Sequence, residues 1–211
     1  MGILQTKNEE FWNTLTHSIG LFLAFVGIAL LFNTINFGDN YLNLGVLLYS
    51  LSLILLYTAS STYHYVSEGR LKKRLRVLDH ISIYFLIAGT YSPIVLTLLK
   101  DEKGMILFYA VWGFAFVGTI LKLFFTGKFE KISLLLYVLM GCLIAVDGLA
   151  VLKNFTPLEI FLLCLGGLFY ISGIYFYVKT SILYNHVIWH IFVMLGSFSH
   201  FLMIYFSAAR L

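Results

Sequence analysis

The segment "YNHVIWHIFVMLGSFSHFLMIYF", residues 184–206, determines how the rest of the chain is interpreted. It is as long as the roughly 20-residue apolar helix that a bilayer requires. It also carries His186, His190 and His200, and an imidazole ring in hydrocarbon loses its hydrogen bonds to water. The segment therefore predicts a transmembrane helix whose histidines have partners inside the protein.

The composition of the whole chain is typical of a membrane protein. Of its 211 residues, 60% are hydrophobic and only 11% are charged, whereas a soluble domain carries about 25% charged residues. The net charge of +4 comes from basic residues in short segments between apolar runs, so it does not indicate nucleic-acid binding. We interpret residues 1–211 as one integral membrane domain whose partners are membrane lipids.

Seven apolar runs are long enough to span a bilayer. They predict an all-α bundle of seven transmembrane helices at about residues 12–33, 41–63, 77–99, 104–125, 132–152, 157–178 and 184–207. The connecting segments are short, so successive helices are expected to be antiparallel neighbours.

The distribution of lysine and arginine predicts the orientation of this bundle. Five basic residues fall between the second and third runs, in residues 70–76, and Lys128 and Lys131 fall between the fourth and fifth. Both segments lie on the same side as the N-terminus, and basic residues in short loops favour the inner side. We therefore expect the N-terminus inside and the C-terminus outside.

Ionisable side chains collect near the predicted inner ends of the helices. They are His17, His64, Asp79, His80, His186 and His190. An uncompensated charge at the bilayer centre costs at least about 2.5–3.5 kcal/mol, so such residues are candidates for a functional site. The grouping at one depth suggests that several of them act together.

The spacing of His186 and His190 places both rings on one helical face. By itself this pair is equally consistent with two interfacial histidines bonded to backbone or headgroups. Together with a third histidine at the same depth, it predicts a zinc site, because three neutral imidazoles and one water are typical ligands of zinc with an open position.

Asp79 and Ser60 are candidate catalytic residues of that site. Asp79 could orient a bound water or a ligand ring, and Ser60 could hydrogen-bond a water or a substrate oxygen. Two simpler interpretations remain open. Asp79 could be a carboxylate near the positive end of the helix dipole, and Ser60 could bond back to its own helix.

Glu9, Asn13 and His17 recur at four-residue intervals along the first helix. This stripe is interpreted either as a polar seam facing the bundle or as an amphipathic entry at the membrane interface, and the position of His17 inside the apolar run favours the seam. His200 lies too far along its helix to share a metal with His190, so we expect it to form an interhelical hydrogen bond.

Four motifs together carry a resemblance to a known family. They are "EEFWNTLTHSIG" at 9–20, "SSTYHY" at 60–65, "LDHISIYFLIAGTYSP" at 78–93 and "HVIWHIFVMLGSFSH" at 186–200. The chain resembles the hemolysin III family, the bacterial branch of the progestin and adiponectin receptor (PAQR) group, over essentially its whole length. The resemblance implies seven helices, an intracellular N-terminus and a bacterial plasma-membrane location.

The resemblance also implies a zinc ion near the inner face, held by His64, His186 and His190. Asp79 and Ser60 belong to the same constellation in that group and its relatives. Because the group is similar to ceramidase-like hydrolases, the resemblance favours a zinc-dependent intramembrane hydrolase acting on a lipid amide or ester.

Two further functions remain open from the sequence. The protein could be a non-enzymatic sensor or receptor-like regulator of lipid state, in which zinc clamps two helices. It could also be a pore-forming hemolysin. A pore should carry a polar stripe along a whole helix, however, and the polar residues here gather at one end of the bundle.

Overall fold

The computed structural model describes residues 5–35 and 37–211, and every regular element within these residues is helical. The elements are α1 (Lys7–Thr34), α2 (Asn40–Tyr65), α3 (Arg70–Leu96), α4 (Gly104–Phe125), α5 (Glu130–Cys142), a 3₁₀ segment (Leu143–Asp147), α6 (Gly148–Asn154), α7 (Pro157–Val178) and α8 (Asn185–Ala209). The prediction of an all-α fold is therefore confirmed.

Six helical stretches of the described chain are long and apolar enough to cross a membrane. They are α1, α2, α4, the α5–α6 stretch taken together, α7 and α8. The predicted span at residues 77–99 corresponds to α3, which is more polar because Asp79, His80 and Ser82 lie on it and are buried. α3 contacts α2, α4, α5 and α8, so much of its surface faces protein. The count of seven spans stays a prediction.

Two helices begin earlier than the apolar pattern predicts. α1 begins at Lys7 rather than near residue 12, because Thr6 and Glu9 form a reciprocal capping box ahead of the apolar run. α3 begins at Arg70 rather than near residue 77, so the basic segment at its start is helical and not a loop. Its side chains therefore point in defined directions.

The predicted helix at residues 132–152 is interrupted by the 3₁₀ segment between α5 and α6. The Tyr91 hydroxyl of α3 donates to the Gly141 carbonyl at 3.0 Å and accepts from the Ile144 N–H at 2.9 Å. In an uninterrupted helix both groups would bond to backbone groups four residues away. One inserted side chain thus replaces two bonds of the helical ladder and explains the break.

A charged cluster joins the end of α4 to the starts of α3 and α5. Glu130 Oε2 accepts from Lys122 Nζ at 2.6 Å and lies 3.7 Å from His80 Nδ1. Glu130 Oε1 lies 3.7 Å from Arg76 Nη2. Lys122 is only 2% exposed, so the carboxylate compensates a cation that folding has removed from water.

The order of packing places the first and last helices side by side. α1 packs against both α2 and α8, and α8 packs in turn against α7 and α3. The C-terminal end of α2 therefore meets the N-terminal end of α8, with the start of α1 beside both. This meeting point carries the candidate site.

Candidate metal centre

Three histidines converge where α2 ends and α8 begins. His186 and His190 lie on successive turns of α8, and His64 lies in the last turn of α2. Their ring centroids are 4.7 Å apart for His186 and His190, and 5.0–5.1 Å apart for His64 and each of the others. One nitrogen from each ring lies within 4.8 Å of the others, so the three could hold a metal ion. Within residues 5–35 and 37–211, no other group of histidine, cysteine and carboxylate side chains meets this spacing.

Hydrogen bonds at Nδ1 favour one tautomer for two of the histidines. His64 Nδ1 lies 2.6 Å from Glu10 Oε2, and His190 Nδ1 lies 3.3 Å from the Asn13 carbonyl oxygen. Carboxylate and carbonyl oxygens only accept, so each Nδ1 carries the proton and each Nε2 of a neutral ring keeps its lone pair. His64 Nε2 is buried and has no hydrogen-bond partner among the described residues. Such an orphaned acceptor fits a metal ligand.

Glu10 extends this network away from the triad, and it is not among the site residues predicted from the sequence. Its Oε1 pairs with Lys72 Nζ at 2.8 Å, and Lys72 also donates to the carbonyls of Tyr63 and Val66 at 3.2 and 3.1 Å. A carboxylate behind a ligating histidine orients the ring and raises its basicity. The spacing in the sequence could have indicated Glu10 as a site residue, because Glu10 precedes Asn13 by three residues and so shares its helix face.

In the structure, the three residues of the predicted stripe on α1 have different surroundings. Asn13 and His17 are buried, at 0% and 3% exposure, and the His17 ring stacks on His190 with centroids 3.6 Å apart. Both nitrogens of His17 are buried without a hydrogen-bond partner in the described chain. Glu9 lies apart from them, because its carboxylate caps α1 through the Thr6 N–H. Glu10, one residue later, is the acid that contacts His64.

Ser60 and Asp79 lie beside the triad but are not members of it. Both are buried, and both line a cavity that His186 and His190 also line. Ser60 lies one turn before His64 on α2, and its Oγ has no hydrogen-bond partner within residues 5–35 and 37–211. The two side chains are thus placed to contact a molecule in the cavity rather than to complete the group of ligands.

The cavity has a volume of about 560 Å³ and lining residues from α1, α2, α3, α5, α7 and α8. Its lining is mainly apolar, and His186 and His190 are the two triad residues that line it. It follows α8 from His186 to Met203, a distance of roughly 25 Å at 1.5 Å per residue. His200 also lines it, and its Nε2 donates to the Leu163 carbonyl of α7 at 3.2 Å, which is the expected interhelical bond.

Comparison with known proteins bears on this arrangement. A profile of the family described as "Haemolysin-III related" matches residues 5–201. The chain belongs to this family. It is 34% identical over 206 residues to a "Hemolysin-3 homolog" of Bacillus subtilis (strain 168), covering 97% of each chain. It is 36% identical over 203 residues to "Hemolysin-3" of Bacillus cereus, covering 96% of this chain and 93% of the relative.

A more distant relative extends the relationship beyond bacteria. The human "Monocyte to macrophage differentiation factor" is 28% identical over 204 residues, covering 93% of this chain and 83% of the relative. No solved structure matches. The family and the six apolar helices identify a multi-pass integral membrane protein of the plasma membrane. The resemblance read from the four motifs is confirmed.

Proposed function

We propose that the protein is a zinc-dependent intramembrane hydrolase that cleaves a lipid amide or ester and so takes part in membrane lipid homeostasis. One observation carries the proposal: three histidines have converging ring nitrogens, and two of them, His186 and His190, line a mainly apolar cavity. The proposal includes seven spans, with α3 as the third and the N-terminus inside, and treats residues 1–211 as one domain.

The residues present fit zinc as the cofactor. Neutral imidazole is a common zinc ligand, and three such ligands leave a fourth position for a water or substrate. His64 Nε2 is a buried acceptor that lacks a partner in the described residues, and its other nitrogen is held by Glu10. His64, His186 and His190 would hold the ion, and Glu10 would keep the His64 ring in the ligating orientation.

Zinc supplies Lewis-acid chemistry, lowering the pKa of a coordinated water toward about 7 and polarising an acyl carbonyl. The chain supplies the rest. Asp79, at the cavity wall, would accept a proton from the attacking water and pass it to the leaving amine or alcohol. The Ser60 hydroxyl would donate a hydrogen bond to the acyl oxygen as negative charge develops there.

The cavity supports a lipid as substrate. Its long apolar section matches a hydrocarbon chain, while its polar lining residues match a carbonyl group near a headgroup. A substrate that enters with its chain along α8 would present the carbonyl beside His186 and His190. The apolar walls would also keep bulk water away from the reacting groups.

The main alternative is a sensor in which zinc only clamps α2 to α8. In a structural site a fourth protein ligand closes the coordination shell, and Asp79 is the candidate to supply it. Asp79 is not part of the ligand group that His64, His186 and His190 form in the described chain. This separation favours an open position and therefore the hydrolase.

The experiment combines metal content with turnover. Zinc per chain is measured by elemental mass spectrometry on detergent-purified wild type, His186→Ala, His190→Ala and His200→Ala. We expect about one zinc in wild type and in His200→Ala, which changes a cavity histidine outside the triad, and little in the other two. Hydrolysis of lipid amides and esters is then assayed. Well-folded wild type without zinc would refute the metal site, and zinc without turnover of any substrate would favour the clamp.

A further inference from the structure

The basic residues at the start of α3 point in two directions. Lys72 turns inward, is 7% exposed and pairs with Glu10 behind the candidate metal centre. Arg70, Lys73 and Arg74 are all exposed to solvent. Residues spaced by three and four share one helix face, so these three cations form a single row. The sequence predicted a loop here, in which no such row could be expected.

The three exposed cations have no counterion in the protein. Within residues 5–35 and 37–211, none of the ion pairs or side-chain hydrogen bonds involves Arg70, Lys73 or Arg74. The acid that is adjacent in sequence is Glu68, which is itself exposed. The row therefore carries an uncompensated positive charge that is available to an anion.

Large apolar side chains stand beside this positive charge. Tyr65 is 80% exposed and Leu71 is 56% exposed. Leu78, two turns after Leu71 on α3, is also exposed, and it lies where the helix enters the bundle. The boundary between headgroups and hydrocarbon favours cations next to exposed aromatic and aliphatic groups. The start of α3 has this combination at the point where the helix enters the apolar bundle.

We propose that Tyr65, Arg70, Leu71, Lys73 and Arg74, here called the basic ridge, bind the headgroup of an anionic phospholipid in the surrounding leaflet. The phosphate and any further negative group would contact the three cations, while Tyr65 and Leu71 would contact the glycerol and upper acyl region. Charge complementarity and the position at the membrane end of α3 select a lipid over a soluble anion.

The proposal is tested by lipid competition on the full chain in a non-ionic detergent. Native mass spectrometry measures the ratio of bound phosphatidylglycerol to bound phosphatidylcholine with matched acyl chains. The ridge variant is Arg70→Gln/Lys73→Gln/Arg74→Gln. A cation near an anionic headgroup contributes about fivefold to binding, so removing three is expected to lower the ratio by one to two orders of magnitude.

The matched control is Lys128→Gln/Lys131→Gln/Lys179→Gln, which removes the same charge from three other exposed lysines. We expect its ratio to change by less than about twofold at 0.15 M salt, because these lysines are not part of the basic ridge. Equal losses in the two variants would overturn the proposal in favour of general charge attraction. A wild type without preference for phosphatidylglycerol would also overturn it.

Two further measurements keep the test decisive. The variant Arg70→Lys/Lys73→Arg/Arg74→Lys keeps every charge and should keep the lipid preference, even if the neutral variant folds poorly. Circular dichroism and melting in detergent report folding of all variants. Glycerol phosphate, added at the lipid concentration, should not displace bound phosphatidylglycerol. Full displacement would mean that the ridge takes a soluble phosphate and that the lipid proposal is wrong.

Discussion

Replacing Glu10 with glutamine is expected to weaken zinc binding by about tenfold to 100-fold. In the wild-type protein His64 Nδ1 lies 2.6 Å from the Glu10 carboxylate. Glutamine keeps the size of the side chain and an acceptor oxygen for this nitrogen, but it removes the negative charge. Carboxylates behind ligating histidines typically contribute a factor of about 10–100 to metal affinity. The expected loss corresponds to about 1.4–2.7 kcal/mol.

The same change leaves Lys72 without its anionic partner. Breaking a fully buried ion pair costs about 3–5 kcal/mol, but Glu10 is partly exposed and Lys72 keeps two carbonyl acceptors, so we expect about 1–2 kcal/mol of stability to be lost. The double variant Glu10→Gln/Lys72→Met removes the unpaired cation. It should regain most of the stability while its zinc affinity stays low, which separates the two effects.

The assay is competition for zinc against a chelator of known affinity, with melting temperature measured in parallel. Glu9→Gln is the control, because Glu9 is the neighbouring acid and caps α1 without contacting the triad. It should bind zinc as wild type does and lose only some stability. Wild-type zinc affinity in Glu10→Gln, or an equal loss in Glu9→Gln, would refute the role assigned to Glu10.

Three further predictions follow from other contacts. Asp79→Asn should retain zinc but lower lipid hydrolysis by about 10²–10⁴-fold, since it removes the proposed proton carrier; unchanged turnover would contradict that role. Tyr91→Phe removes the hydroxyl that replaces two helix bonds at the α5–α6 break and should lower the free energy of unfolding by about 1–3 kcal/mol, measured by denaturant titration in detergent. Glu130→Gln leaves the buried Lys122 cation uncompensated and should lower the melting temperature, with recovery in Glu130→Gln/Lys122→Met; no recovery would mean that the pair is not the cause.

The sequence predicted those features that depend on local pattern. Apolar runs of sufficient length located the helices, and the four-residue spacing of His186 and His190 placed them on one face. The break between α5 and α6 was not predictable, because it is caused by Tyr91, about 50 residues away in the sequence. The early start of α3 was missed for a different reason: a run of basic residues was interpreted as a loop, although such residues also continue helices well.

The choice between Glu9 and Glu10 shows the limit of spacing as evidence. Both acids are compatible with a polar stripe on α1, since Glu9 precedes Asn13 by four residues and Glu10 by three. The capping box decides between them, because it engages the Glu9 carboxylate with the Thr6 N–H at the start of the helix. Glu10 is then left on the inner face, opposite His64 and Lys72.

α1 contributes no histidine to the triad, yet it determines how two of the three triad rings are oriented. Neutral histidine exists in two tautomers, and only the nitrogen without a proton can bind a metal. Glu10 holds the proton of His64 on Nδ1, and the Asn13 carbonyl does the same for His190. His64 and His190 lie far apart in sequence, on the two helices that flank α1. A single helix between them can therefore set both rings at once, which explains why the polar residues of α1 gather in its first turns and not along its length.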